Sequence, residues 1–187
     1  MNTNLADLPK ELPRPVDDGA ADHLAGMRLP ELVLPATDGS DVDLSRLPGR
    51  WVLYVYPMTG RPGLALPDGW DGIPGARGCT PQSCGFRDHH AELKALGAGV
   101  FGLSTQTTDY QREARDRLHL PFELLSDAAL RLKQTLRLPS FSVAGMELFK
   151  RLTLIVEDGE IRKVFYPVFP PDQNAAEVLV WLRRQPA

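Results

Sequence analysis

Cysteine is scarce in this chain: two residues in 187, with four histidines beside them. Two cysteines cannot make a disulfide-rich scaffold, and they do not complete a four-thiolate zinc site. Positive charge is not in excess either. Twenty-one Lys and Arg stand against 24 Asp and Glu, a formal net charge of -3, and no Lys/Arg run interrupts that balance, so a nucleic-acid surface is not expected. No apolar run approaches the roughly 18 residues of a membrane span. Met1 to Gly26 lacks the basic and apolar regions of a secretory leader, which makes a cytoplasmic home the expectation. A reducing compartment also suits thiols that must be regenerated. What is present is ordinary: 43% hydrophobic and 24% charged residues, in a length that fits one domain able to bury roughly 70% of its unfolded surface.

The two cysteines lie five positions apart, in Gly78-Cys79-Thr80-Pro81-Gln82-Ser83-Cys84-Gly85-Phe86-Arg87-Asp88. This is not the two-residue gap of a dithiol reductase motif, nor half of a zinc site. On one helix their Cα atoms would stand roughly 8–9 Å apart, whereas a disulfide needs about 4.4–6.8 Å. Closing the bond therefore requires the helix turn to unwind. A cysteine in the first turn faces unpaired N–H groups and the positive end of the helix dipole, which favour a thiolate. Cys84, more than a turn further on, gains much less from that field. The sulfurs are thus unequal. A thiolate that attacks a peroxide becomes a sulfenic acid, which condenses with a nearby thiol to a disulfide. Two buried, inert cysteines remain an equal reading on composition alone.

Around this segment the pattern alternates. Residues 1–26 hold Pro9, Pro13 and Pro15 among scattered charges and read as a poorly ordered arm or a wrap over the domain, which then occupies 27–187. Leu29 to Leu44 reads as a short hairpin around Asp38-Gly39. Trp51 to Tyr56 is a continuous apolar and aromatic run, as expected of a strand buried on both faces, and Pro57 ends it. Met58 to Arg77 carries five glycines and three prolines, too broken for regular structure. Cys79 to Leu96 reads as a helix, Val100 to Ser104 as a second buried strand and Thr108 to Leu118 as a charged amphipathic helix. Phe122 to Leu125 follows as a short extended segment, and Asp127 to Leu136 as a helix capped by Asp127. A hairpin over Leu152–Val156 and Ile161–Tyr166 precedes a closing helix, Asn174 to Arg184. The order predicts a single α/β domain with a central mixed sheet and helices on both faces.

The cysteine segment resembles the active-site segment of the Q-type (bacterioferritin comigratory) peroxiredoxins: a Gly-Cys-Thr start, a second cysteine five positions on, then aromatic-Arg-Asp. The resemblance extends over most of residues 27–184. Trp51 to Pro57 is similar to the strand ending in Tyr-Pro before that site, Leu120 to Asp127 to the family's Leu-Pro-Phe-x-Leu-Leu-Ser-Asp segment, and Lys150 to Val156 to the strand that brings in an arginine. It implies a thioredoxin-like fold and thiol-dependent peroxidase activity on hydrogen peroxide and organic hydroperoxides. In it Cys79 is peroxidatic, Cys84 resolves it as an intramolecular disulfide, and thioredoxin or a similar dithiol is the reductant. No metal or organic cofactor is implied, and the expected state is a monomer or weak dimer. Arg151 is implied as the arginine beside the peroxidatic sulfur, with Lys150 its rival by register. Pro57 is implied as a shield over the sulfur.

One departure stands out. The family carries a threonine or serine three residues before the cysteine, and this chain has Ala76 there, which cannot donate a hydrogen bond. An insertion at about 63–75 separates Tyr56-Pro57 from the cysteines, and Thr59 is the upstream hydroxyl that a looped-out insertion could return to the site. Trp70 reads as a loop anchor or as a rim residue above the pocket. His89 and His90 follow the cysteines off one helix face and read as a surface and a packed histidine rather than metal ligands. Two other classes stay open: a thiol-disulfide oxidoreductase of the same fold, against which the missing Cys-x-x-Cys argues, and a binding module that uses the insertion as its surface.

Overall fold

The structure, a computed structural model, describes residue 5, residues 7–9 and residues 11–185. The rest of the expected N-terminal arm, residues 1–4, 6 and 10, lies outside the described residues. In chain order the elements are β1 (Val33–Pro35), β2 (Asp41–Asp43), β3 (Arg50–Val55), α1 (Cys79–Asp88), α2 (His90–Ala95), β4 (Ala98–Ser104), α3 (Thr108–Arg117), β5 (Leu124–Ser126), α4 (Arg131–Leu136), β6 (Ser140–Val143), β7 (Met146–Phe149), β8 (Leu152–Glu157), β9 (Glu160–Phe165) and α5 (Asn174–Leu182). A five-stranded sheet in the order β5-β4-β3-β8-β9 forms the centre. Its left half is parallel, β3 with β4 and β4 with β5, and β8 and β9 add antiparallel.

The continuous hydrophobic run of β3 is explained by two cores. Leu53 and Val55 face one of them, with Leu103, Leu125, Leu154 and Val156. Val52, Tyr54 and Tyr56 face the other, with Phe86 of α1, Leu93 of α2, and Val178 and Leu182 of α5. Alternate residues of one strand serve opposite faces, so both parities must be apolar. Each fully buried side chain of this size contributes about 1.5–3 kcal/mol. Tyr54 also stacks on Phe86 at 4.6 Å, which ties the strand to the last turn of α1.

Two local expectations change, and one element is new. The helix read as Cys79 to Leu96 is two helices, α1 and α2. The break falls at His89 (φ -98°, ψ 7°), whose N–H reaches back to Gly85 and Arg87 carbonyls. The helix expected from Asp127 starts at Arg131, because Leu130 takes a left-handed φ of 57°. Asp127 still caps it from further back, its carboxylate accepting from Leu132 N–H at 3.1 Å and Lys133 N–H at 2.8 Å. The new element is the β6–β7 hairpin. Its turn, Ala144-Gly145, has positive φ at both positions, and alanine there hides the Asn-Gly or Asp-Gly signature that such turns usually carry.

The arm is strapped to the body. Arg14 lies over the Phe169 ring at 5.3 Å. Asp18 pairs with Lys150 at 2.6 Å and accepts the Tyr166 hydroxyl at 2.7 Å, and these partners hold its carboxyl well below the usual range. Ala21 and Leu24 are already core.

Gly78 controls how closely the 3₁₀ turn Pro171–Gln173, which leads into α5, approaches the start of α1. It takes φ 105°, and a Cβ there would lie 2.3 Å from Pro171 Cγ and 3.0 Å from Leu8 Cδ2. Left-handed strain and overpacking together predict that Gly78→Ala costs about 2–4 kcal/mol. A fall of about 5–15 °C in Tm is the expected reading in a thermal melt; an unchanged Tm would show that this contact yields freely.

Candidate active site

Two segments far apart in sequence meet at the first turn of α1. Cys79 is 3% exposed at the helix start, behind the Gly78 cap. Pro81, in the same turn, has no N–H to leave unpaired. Arg151, the residue before β8, is also 3% exposed and points its guanidinium at the sulfur. Arg151 Nη2 lies 3.2 Å from Cys79 Sγ and 3.1 Å from each of the Ala76 and Arg77 carbonyl oxygens, and Nη1 donates to Gln82 Oε1. These four acceptors, all that it has among the described residues, are two carbonyls, one amide and the sulfur. A buried guanidinium whose other partners are neutral stabilises negative charge on that sulfur, and its spare donor directions can orient an incoming oxygen. Lys150 points away, to Asp18.

The two sulfurs are both free thiols in different surroundings. Cys84 is half-buried; desolvation pushes its thiol up, with the Arg87 guanidinium pulling it back. Tyr54, fully buried under α1, donates to Ser83 Oγ at 3.1 Å. Burial, then the neighbouring Tyr56, pushes its phenol well up, so it stays neutral and acts as a hydrogen-bond post for the helix.

The upstream polar residue expected at the sulfur goes elsewhere. Thr59 is buried, but its hydroxyl and N–H both turn to Gln106 Oε1, at 3.3 and 3.0 Å. At the position three before the cysteine, Ala76 contributes its backbone instead, its carbonyl oxygen lying 3.7 Å from Sγ. Pro57 is buried at the end of β3 yet does not wall the cavity at Cys79. Leu5, Met58, Gly60, Leu66 and Trp70 do so, around about 10 Å³, roughly the room one water needs. Trp70 is therefore both anchor and roof: it is 3% exposed and packs with Met58, Ala76 and Leu148. Beyond this roof a cleft of about 1290 Å³ runs between residues 61–72 and α1, with Thr80, Cys84 and Arg87 on its helix side. Three of its four arginines pair closely with acids, Arg87 with Asp88, Arg117 with Glu113 and Arg77 with Asp71, while Arg61 lies 4.0 Å from the same Glu113 and over the Tyr110 ring. His89 is partly exposed and bonds Glu92, His90 packs on Phe122, and no cluster fit to hold a metal occurs among the described residues.

A thiol held by a buried guanidinium at a helix start, with a second thiol in the next turn, defines a thiol-based redox enzyme on a thioredoxin-like sheet. The redoxin family matches residues 24–179, and the chain belongs to that family, as a peroxiredoxin of the Q type. The chain is 28% identical over 159 residues to the chloroplastic peroxiredoxin Q of Suaeda salsa, covering 84% of this chain and 67% of that one. Peroxiredoxin bcp1 of Schizosaccharomyces pombe is 31% identical over 123 residues, 64% of this chain and 55% of that one. The chain thus spans about two thirds or less of these relatives' length. Among solved structures, the peroxidoxin BcpB of Mycobacterium tuberculosis superposes with a TM-score of 0.69 at 25% identity, covering 87% of this chain and 98% of that one. Xylella fastidiosa PrxQ, at 19% identity and a TM-score of 0.68 over 85% and 94%, shares the fold.

Proposed function

We propose that this peroxiredoxin reduces hydrogen peroxide and organic hydroperoxides through Cys79, resolves the product with Cys84, and is recharged by thioredoxin or a similar dithiol. The observation that carries the reading is the Arg151 guanidinium 3.2 Å from Cys79 Sγ at the start of α1. In the first step the Cys79 thiolate attacks the near peroxide oxygen. An S–O bond forms, the O–O bond breaks, the sulfur gives up two electrons, and the leaving oxygen takes a proton to become water or an alcohol. Arg151 faces the charge that moves from sulfur to the leaving oxygen. The Cys84 thiol then attacks the sulfenic sulfur, forming the disulfide and releasing water. The external dithiol reduces that bond and becomes a disulfide itself. The cytoplasm, a monomeric or weakly dimeric state, and independence from metals and organic cofactors complete the proposal.

The small, roofed cavity supports a preference for the smaller substrate. Stopped-flow mixing of the reduced chain with hydrogen peroxide and with cumene hydroperoxide, beside an insulin-reduction assay, tests the whole reading. Rapid oxidation, faster with hydrogen peroxide, is expected; slow oxidation by both with brisk insulin reduction would make the chain a thiol-disulfide oxidoreductase.

The resolving step should depend on pH in a defined direction. A thiol whose pKa is raised by burial stays protonated around neutrality, so its thiolate fraction grows roughly tenfold per pH unit below that pKa. The second kinetic phase should accelerate as pH rises from about 6 to 8.5. A flat profile across that range would mean that another event limits disulfide closure.

A further inference from the structure

Arg151 is held from behind by a chain of hydrogen bonds that crosses three elements. Gln82, one turn after Cys79, accepts from Arg151 Nη1 with Oε1 and donates through Nε2 to Asn174 Oδ1 at 2.9 Å. Thr153 Oγ1, on β8, donates to the same Asn174 oxygen at 2.7 Å. Gln82, Thr153 and Asn174 are each 0% exposed. The guanidinium only donates, so Gln82 must face it with Oε1, and Asn174 Oδ1 holds the other end of that amide, accepting Nε2 beside the Thr153 hydroxyl. Turned over, Gln82 would present N–H groups to the guanidinium, donor against donor. Asn174 opens α5, directly after the Pro171–Gln173 turn that packs against Gly78.

We infer that Asn174, acting through Gln82, is a positioning residue for Arg151, and that this relay also latches α1 in its peroxide-reactive form. The inference rests on the peroxidase reading above. Gln82 lies between the two cysteines, whose Cα atoms stand roughly 8–9 Å apart while the helix is intact. Bringing them within about 4.4–6.8 Å requires residues 79–84 to unwind. Unwinding carries Gln82 off both Arg151 and Asn174. The relay therefore favours the attack on peroxide and opposes closure of the disulfide. Loosening it should move the two steps in opposite directions.

The test uses the full chain in stopped-flow with hydrogen peroxide, with acid-quenched samples to separate sulfenic acid from disulfide. Gln82→Leu should slow the attack about tenfold, the scale of a small misplacement of a reacting group, and speed closure severalfold. Asn174→Ala should show the same pair of signs. Asn174→Asp keeps an oxygen for both donors and should return both rates to within about threefold of the unsubstituted chain. Leu182→Ala, which loosens α5 without touching the relay, supplies the control and should leave both rates within about twofold. The relay is overturned if Gln82→Leu and Asn174→Ala leave the attack within twofold, if closure slows with it, or if Leu182→Ala reproduces their pattern. An unsubstituted chain that fails to oxidise would instead overturn the peroxidase reading itself.

Discussion

Replacing Cys79 with serine is expected to lower the rate of reaction with hydrogen peroxide by at least about a thousandfold, while Cys84→Ser leaves the first step within a few-fold of the unsubstituted chain. A serine hydroxyl at the same place stays protonated and is a poor nucleophile, so the contact with Arg151 has no anion to hold. Cys84→Ser should arrest the cycle one step later. The sulfenic acid then lacks the intramolecular thiol, persists long enough to be trapped as an adduct with a carbon nucleophile such as dimedone, and passes to the sulfinic acid under excess peroxide. Intact-mass spectra taken after a pulse of peroxide read both outcomes. The assignment of roles would be reversed if Cys79→Ser kept the fast phase and Cys84→Ser lost it. Half-burial of Cys84, against the guanidinium contact at Cys79, is the physical reason to expect otherwise.

The second large effect concerns Arg151. Arg151→Met keeps much of the side chain's bulk but removes the charge and every donor, and the second-order rate with peroxide should fall by about 10²–10³, the scale of losing a preorganised donor to developing charge. Arg151→Lys should fall between, because an ammonium cannot serve Gln82, two carbonyls and the sulfur in one planar fork. Arg151→Met also strands the Ala76 and Arg77 carbonyls, so melting curves belong beside the rates. A loss of rate far larger than the fraction unfolded at the assay temperature assigns the effect to the sulfur. If Arg151→Met reacted within about threefold of the unsubstituted chain, the guanidinium would be structural.

Much of this is legible in the sequence. Trp51 to Tyr56 announced a doubly buried strand because both parities were apolar, and it is the central strand with a core on each side. The segment from Cys79 reads as a helix, and a helix does start at Cys79, although it breaks at His89. Other features left no trace in the pattern. The β6–β7 hairpin turns through Ala144 in a conformation usually reserved for glycine or asparagine. Gln82 carried a weak signal, being three residues from Cys79 and so on its face of the helix. Asn174 carried none, since nothing in a sequence says that position 174 will share a buried oxygen between positions 82 and 153.

By itself the sequence determined the thiol pair, its spacing and the alternation of strands and helices, because these are local properties of residue type and period. It also determined that the usual upstream hydroxyl is missing, since Ala76 has none to offer. Only the tertiary structure decided what stands around the sulfur. It turned Thr59 to Gln106, put the Ala76 carbonyl and an apolar roof at the site, and chose Arg151 over Lys150. The Arg151 contacts depend on side chains that meet across 70 or more positions of chain, and the Thr59–Gln106 contact spans 47. Such meetings are fixed by the pairing of β3 with β8 and the packing of α5 on α1, not by any neighbour in sequence.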